Sequence, residues 1–200
     1  KGVEARQWHA RGDIDPSLFA DADTIFHLAG ESIANGRWSQ AKKERIMRSR
    51  VETTKALIHA LSQLDKRPGA LICSSAIGYY GSRGNEILNE SSSPGHDFLA
   101  SVCQAWEEQA MRAEELGIRV VTVRTGVVLG PGGGALSQMV IPFKLGLGGW
   151  LGNGRQYMSW IHIDDLIGIM LHATGNDKVR GPINGVSPTP VTNRQFSAAL

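Results

Sequence analysis

The densest group of residues able to do chemistry is the stretch Leu71–Gly81, which reads LICSSAIGYYG. Ser74 and Ser75 close an apolar run, and Tyr79 and Tyr80 follow almost at once. A serine hydroxyl can hydrogen-bond a substrate carbonyl or alcohol. A phenol can pass a proton, but with an unperturbed pKa of about 10 it needs a neighbouring positive charge to work near neutrality. The competing reading is a strand end whose serines satisfy backbone groups and whose tyrosines pack. Other chemistry-bearing residues are more scattered. His27 and His59 stand alone and read as structural. The two cysteines, Cys73 and Cys103, are too few and too far apart for a disulfide framework or a zinc site, so they read as small buried hydrophobes and no metal is expected. Trp38, Trp150, Trp160 and Arg155 fall in loops or at loop edges, where an aromatic and arginine lining would suit a planar or anionic substrate. Exposed packing is the alternative there.

The elements that must position these residues follow from hydrophobic patterning. Asp23–Gly30 (DTIFHLAG) is a short apolar run closed by glycine, as in a buried strand. Ser39–Leu64 carries Ile46, Met47, Val51, Thr54, Leu57, Ile58 and Leu61 at helical spacing, with Ser39 as N-cap and Pro68-Gly69 as the stop. Gly69–Ser75 is the next strand. Asp97–Gly117 is a second long helix with Gly117 as its C-cap. Ile118–Gly130 reads as one β-branched strand, and Tyr157–Thr174 as a short strand entering a helix with Asp164 at the junction. Apolar strands alternating with amphipathic helices imply an α/β fold with a parallel sheet covered on both faces. Such sheets bind ligands beyond the carboxyl ends of their strands. Leu28–Glu31, Ser74–Tyr80 and Arg124–Gly130 should therefore converge on one edge.

The bulk numbers exclude several classes of function. A chain of 200 residues, 42% hydrophobic and 20% charged, suits a single domain with a sizeable core. The net charge of +2 is too small to argue for nucleic acid. The basic run Arg37–Arg50 is interrupted by Glu44 and reads as a solvated helix face. No apolar run is long enough to span a membrane and no signal peptide is visible, so a reduced, cytoplasmic protein is expected. There is no internal repeat. The chain opens on Lys1 and ends in NRQFSAAL, which reads as an unfinished helix, as in a piece of a longer protein.

With the three strand ends identified, the pattern resembles the extended short-chain dehydrogenase/reductase family, in its NAD-dependent epimerase/dehydratase branch. HLAG resembles the motif where backbone passes the adenosine half of the cofactor. SSAIGYYG resembles SSxxVYG, whose serine is catalytic, and RTGVVLGPGGG resembles the RxxNVYGPG segment beside the nicotinamide. WIHIDDL and GPINGVSPTPVTNRQF resemble later substrate-side segments. Wording such as LAGESIANGRW, SRVETT and LGLGGWLGNGRQYMSWIHIDDL is closest to a nucleoside-diphosphate-sugar epimerase-like subfamily.

The resemblance implies a Rossmann-like, doubly wound parallel sheet over residues 1–200, with substrate-side segments within about 131–200. NADP is the implied cofactor, with NAD as the other possibility. Leu28, Ala29, Gly30, Arg45, Arg50, Ser74, Gly126, Val127 and Val128 would contact it. Ser75, Tyr79 and Tyr80 would be catalytic, with Ser75 matching the family serine. Trp38, Arg155 and His162 would face a small-molecule substrate, either a nucleotide sugar or another carbonyl or hydroxyl compound. Asp164 could equally cap a helix by accepting its amide hydrogens. The two long helices would pair with a second copy in a homodimer.

Two departures qualify that picture. The Gly-rich fingerprint G-x-x-G-x-x-G is missing, and Gly130–Gly134 does not replace it, because it follows a late strand and contains Pro131. The first βαβ unit is therefore expected to lie outside this chain. The family's Tyr-x-x-x-Lys pair is also absent: the helix after the serines begins Phe98-Leu99-Ala100-Ser101-Val102-Cys103 and holds no lysine. The expected function is an NAD(P)-binding oxidoreductase or epimerase-like protein with an altered acid/base group, or else a non-catalytic NADP(H)-binding sensor or interaction protein.

Overall fold

The computed structural model describes residue 5 and residues 14–200. In chain order the regular elements are β1 (Thr24–His27), α1 (Gln40–Ser62), β2 (Ala70–Ala76), α2 (Phe98–Met111), β3 (Arg119–Thr125), β4 (Val127–Leu129), α3 (Gly134–Lys144), β5 (Tyr157–Met158), β6 (Trp160–His162), α4 (Ile163–Gly175), β7 (Gly181–Gly185), β8 (Val191–Thr192) and α5 (Asn193–Ala199). The central sheet is parallel throughout, in the order β1-β2-β3-β7. Side chains alternate across it. Leu71 and Cys73 of β2 and Val120 of β3 face Leu57 and Leu61 of α1 and Trp106 and Ala110 of α2. Ala70, Ile72, Val121 and Val123 face Leu166, Met170 and Ala173 of α4. A sheet covered on both faces explains why its strands read as continuous apolar runs.

Local signals place the helices. The Ser39 hydroxyl accepts the Lys42 amide at 3.2 Å and starts α1. Ile46, Thr53, Thr54, Leu57, Ala60 and Leu61 then form its buried stripe. Asp97 Oδ1 accepts the Ala100 amide at 2.9 Å and starts α2. The second helix is shorter than the sequence suggests: its last turn tightens into a 3-10 segment, Arg112–Leu116, which ends at Gly117 with φ +79°. At the far end of the sheet, the buried Arg119 of β3 reaches α4. Its guanidinium donates to the carbonyls of Ala173 (2.8 Å) and Thr174 (3.2 Å), which the helix end leaves unpaired, and to that of Val179 (3.0 Å) in the segment before β7.

Two sequence expectations need correcting here. Ile118–Gly130 is not one strand. The chain leaves the central sheet at Gly126, and β4 pairs with β6 in a separate two-stranded sheet. Gly126 permits the change because another backbone segment passes against it: a Cβ there would lie 2.6 Å from the Ser159 carbonyl oxygen. The Gly126 amide still donates to Gly185 O, whereas the Val127 amide donates to Ser159 O, so the ladder changes partner in one residue. The second correction concerns α4. Its N-cap is His162, whose Nδ1 accepts the Asp164 amide at 3.3 Å, and Asp164 sits inside the first turn. The acidic Asp164 and Asp165 there suit the positive end of the helix.

No helix among the described residues is long and apolar enough to cross a membrane. The outer faces of α1 and α2 expose Arg45, Arg48, Glu52, Lys55 and Glu108. The helix pair expected at a homodimer contact thus presents charge. Ile141, Leu145, Leu147, Trp150 and Leu151, in and after α3, are among the large exposed apolar side chains.

Candidate active site

Strand register lays down a row of polar groups. Ser75 of β2 lies opposite Arg124 of β3, and Arg124 lies opposite Asn184 of β7. Paired positions in neighbouring strands point to the same face, and this face meets α2, which supplies Glu107. Ser75 Oγ donates to Glu107 Oε1 at 2.6 Å. Arg124 grips the same carboxylate with two bonds, Nε at 2.9 Å and Nη2 at 2.8 Å. Its Nη1 donates to Tyr80 Oη (3.0 Å) and to the Glu90 carbonyl (3.1 Å). Tyr80 Oη in turn donates to Asn184 Oδ1 at 2.7 Å, and the Asn184 amide donates to Glu90 Oε1 at 2.8 Å.

Burial disfavours the Arg124 cation, but its bonds to Glu107 and Tyr80 and the Glu107 charge outweigh that, so its pKa is raised. Cys103 stands beside this group. Burial and the Glu107 charge push its thiol up to about 11, against hydrogen bonds from Ala76 and Ser75 and the charge of Arg50. Burial also raises the Cys73 thiol. Both cysteines are therefore neutral packing residues rather than thiolate nucleophiles.

Tyr79 differs from its neighbours. Its ring meets Tyr80 edge-on at 5.3 Å, and the Arg124 guanidinium carbon lies 3.4 Å from its centroid. It is half-buried, and its hydroxyl has no hydrogen-bond partner among the described residues. Ser75 and Tyr80, both only 4% exposed, have committed their hydroxyls inward.

The residues expected to meet a cofactor form a second group at the carboxyl ends of the strands. Leu28 and Gly30 are exposed just past β1, with Ala29 half-buried between them. The Arg50 guanidinium lies over Gly30, where a Cβ would come within 3.0 Å of its carbon. It also donates to the carbonyls of Glu31 (3.1 Å) and Ile46 (3.2 Å) and stacks on Trp106 at 5.1 Å. Arg50 thereby ties the loop after β1 to α1. Glu31 completes the tie through the buried Lys42 at 2.8 Å, with exposed Arg45 at 3.7 Å. The Lys42 hydrogen bond and these ion pairs hold its carboxylate below the ordinary range. Gly126, Val127 and Val128 lie on the neighbouring strand end, where Val127 pairs with Trp160 and Val128 with Ile161. Ser74 is half-buried on the opposite face of β2 from Ser75. Residues 28–30, exposed or half-buried, and 126–128, half-buried, lie at the strand ends, where a dinucleotide could lie across the sheet.

The three expected substrate residues do not meet at one point. Trp38 Nε1 donates to Ile33 O, and its ring packs edge-on against Phe98. His162 caps α4. Arg155 lines a separate pocket with Tyr157 and Arg194. Among the described residues no cluster of three or more His, Cys, Asp or Glu side chains could hold a metal. His27, expected to be structural, is buried against Thr54 at 2.8 Å, and burial lowers its pKa to about 4.

Glu107 escapes sequence reasoning because an acid in the middle of a helix reads as solvated. Arg124 does carry a signal: a charge inside the β-branched run RVVTVRT must find a partner if that run is a buried strand.

The parallel sheet and its two helix-covered faces define an α/β chain with a Rossmann-like fold. The sequence profile of the NAD dependent epimerase/dehydratase family matches residues 12–184, and the chain belongs to that family. Among similar proteins, Epimerase family protein Mb2239 of Mycobacterium bovis is 41% identical over 198 residues, which are 98% of this chain and 65% of that protein. Human Epimerase family protein SDR39U1 is 40% identical over 191 residues, 94% of this chain and 65% of its own length. The chain thus spans about two thirds of the length of these curated relatives. Among solved structures, human SDR39U1 (isoform 2) with NADPH superimposes with a TM-score of 0.83 at 37% identity, covering 93% of this chain and 67% of that one. A nucleoside-diphosphate sugar epimerase from Corynebacterium glutamicum gives 0.84 at 38% identity, covering 96% of this chain and 40% of that one.

Proposed function

We propose that this chain is the NADP(H)-binding part of an oxidoreductase or nucleotide-sugar-epimerase-like enzyme in which Tyr79, seated on Arg124, handles the proton. The observation that carries this reading is the unpartnered Tyr79 hydroxyl on a ring 3.4 Å from a fixed cation. The family's helix lysine would place positive charge beside its tyrosine. Arg124 supplies a charge of the same sign from the sheet, and Glu107 keeps it in place. Leu28–Gly30 and Gly126–Val128 would hold the cofactor, and the NADPH in the human relative favours NADP over NAD. When bound, the nicotinamide accepts or gives a hydride. The chain's own part is to line the carbonyl or hydroxyl of a small-molecule substrate against the Tyr79 phenol, and to move one proton between them. Ser75 and Tyr80 act as positioning residues, one setting Glu107 and the other Arg124.

The test is a titration of the whole protein with NADPH and NADH, followed by absorbance assays on a carbonyl panel. Tyr79→Phe should abolish turnover, with cofactor affinity unchanged. A second reading, a non-catalytic NADP(H)-binding sensor or interaction protein, is favoured by the inward commitment of the Ser75 and Tyr80 hydroxyls. Tight NADPH binding with no oxidation of NADPH on any substrate selects it. Failure to bind either nucleotide removes both readings.

A further inference from the structure

A pocket of about 430 Å³ is lined by Asn85, Asn153, Arg155, Tyr157, Thr192 and Arg194, with no contribution from Ser75, Glu107 or Arg124. A closely tied turn supports it. The Leu151 amide donates to Asn193 Oδ1 at 2.7 Å, the Arg194 amide to Gly154 O at 3.0 Å, and the Asn193 amide to Gln156 O at 2.8 Å. Gly154 sits in that turn at φ +69°, with Trp150 and Arg194 packed where a Cβ would stand. Such a turn presents Arg155 and Arg194 from fixed backbone. Neither guanidinium has an acidic partner among the described residues, and Arg194 lies over Trp150 at 4.5 Å. No acid lines the pocket. The nearest acid in sequence, Glu86 beside Asn85, is taken by Arg83 at 2.6 and 2.7 Å. Two guanidinium groups without an acidic partner and the side-chain amides of Asn85 and Asn153 face the pocket with no negative charge to satisfy them, whereas the Thr192 hydroxyl is already donated to Gln195 Oε1 at 2.9 Å.

We propose that this pocket binds the anionic end of a small organic molecule, a phosphate monoester or a carboxylate, through Arg155 and Arg194. Asn85 belongs to the loop that follows Tyr79 and Tyr80, so the anion would be anchored beside the segment that carries the acid/base group. The placement of the reacting end rests on the reading of Tyr79 given above, whereas binding of the anion does not. Met158 and Asn193, joined by a hydrogen bond to sulfur, hold the ribbon of β5 and β8 together beside the pocket.

The experiment is isothermal titration calorimetry of the whole protein with glycerol 3-phosphate and with malate, each against potassium chloride at matched ionic strength. Tryptophan emission is followed in parallel. One of the two anions should bind saturably, and which one does assigns phosphate or carboxylate. Arg155→Gln and Arg194→Gln should each weaken binding roughly tenfold, the usual cost of losing a charge-assisted hydrogen bond. Trp150→Phe should remove the emission change while heat is still released. Three outcomes overturn the proposal: no saturable heat with either anion, an equal response to potassium chloride, or both arginine variants titrating like the wild type. NADPH titrations of the same samples separate this from the function proposed above. Nucleotide binding without anion binding removes only the pocket, and the converse removes only the cofactor reading.

Discussion

Two polar regions of this molecule solve opposite problems. Around Arg124, the polar groups are bonded to one another in a chain: Ser75 to Glu107, Glu107 to Arg124, Arg124 to Tyr80, Tyr80 to Asn184. Around Arg194, two guanidinium groups stand at a pocket with no acid to answer them. The first arrangement is self-contained. Removing one member strands a charge in a medium that solvates it poorly. The second is incomplete as it stands, and removing a member strands nothing. One region holds the fold together, while the other keeps binding capacity in reserve. Tyr79 sits on the border, since its ring belongs to the closed network and its hydroxyl does not.

The sharpest way to break this contrast is Glu107→Ala. It leaves the Arg124 guanidinium, whose side chain is 3% exposed, without its carboxylate. The expected loss is about 3–5 kcal/mol by urea unfolding. A loss below about 1 kcal/mol would show that the pair behaves like a surface salt bridge.

His27 extends the comparison into pure core. Its folded pKa is depressed to about 4 from 6.5, so the unfolded chain binds its proton more readily. Its contribution is complete above about pH 6.5 and is lost as pH falls toward 4, amounting to about 3 kcal/mol. Unfolding midpoints between pH 7 and pH 4 should show this slope, and His27→Gln should flatten it. Tyr80→Phe is milder. It leaves Asn184 Oδ1 without its donor and should cost about 1 kcal/mol. Arg155→Gln, on the open side, should change stability by less than about 0.5 kcal/mol. A larger loss there would mean that the pocket arginine holds structure, and the distinction between the two regions would fail.

Much of the frame is legible in the amino-acid sequence. Ser39 and Pro68 bracket α1, and the alternation of β-branched runs with amphipathic segments announces a parallel sheet. What stays hidden has one physical cause: sequence shows what a residue is, while register decides whom it meets. Ser75 and Asn184 lie on either side of Arg124 only because three strands from distant parts of the chain align. Glu107 joins them only because α2 crosses that row. The break at Gly126 is hidden for a related reason, since Val127–Leu129 has the same strand propensity whichever sheet receives it. Helix capping falls to His162 rather than Asp164, and sequence does not separate the two because both side chains offer an acceptor. The site residues are the least legible, because a hydroxyl that turns inward and one that turns outward are spelled alike.

Arg119 carries a consequence for how the molecule comes apart and together. Its guanidinium closes the end of α4 through carbonyls 54 to 60 residues later in the chain. Contacts so distant in sequence demand that a long loop be closed before they return anything, which slows folding in parallel sheets. We expect them to form late in the folding reaction, after β2 and β3 have paired around α2, and stopped-flow folding and unfolding rates of Arg119→Ala check that order. A contact made after the barrier governs how fast the native state is left rather than how fast it is reached. Arg119 is then a latch on residence time: its loss should hasten opening of α4 and β7 and leave the rate of folding nearly as it was.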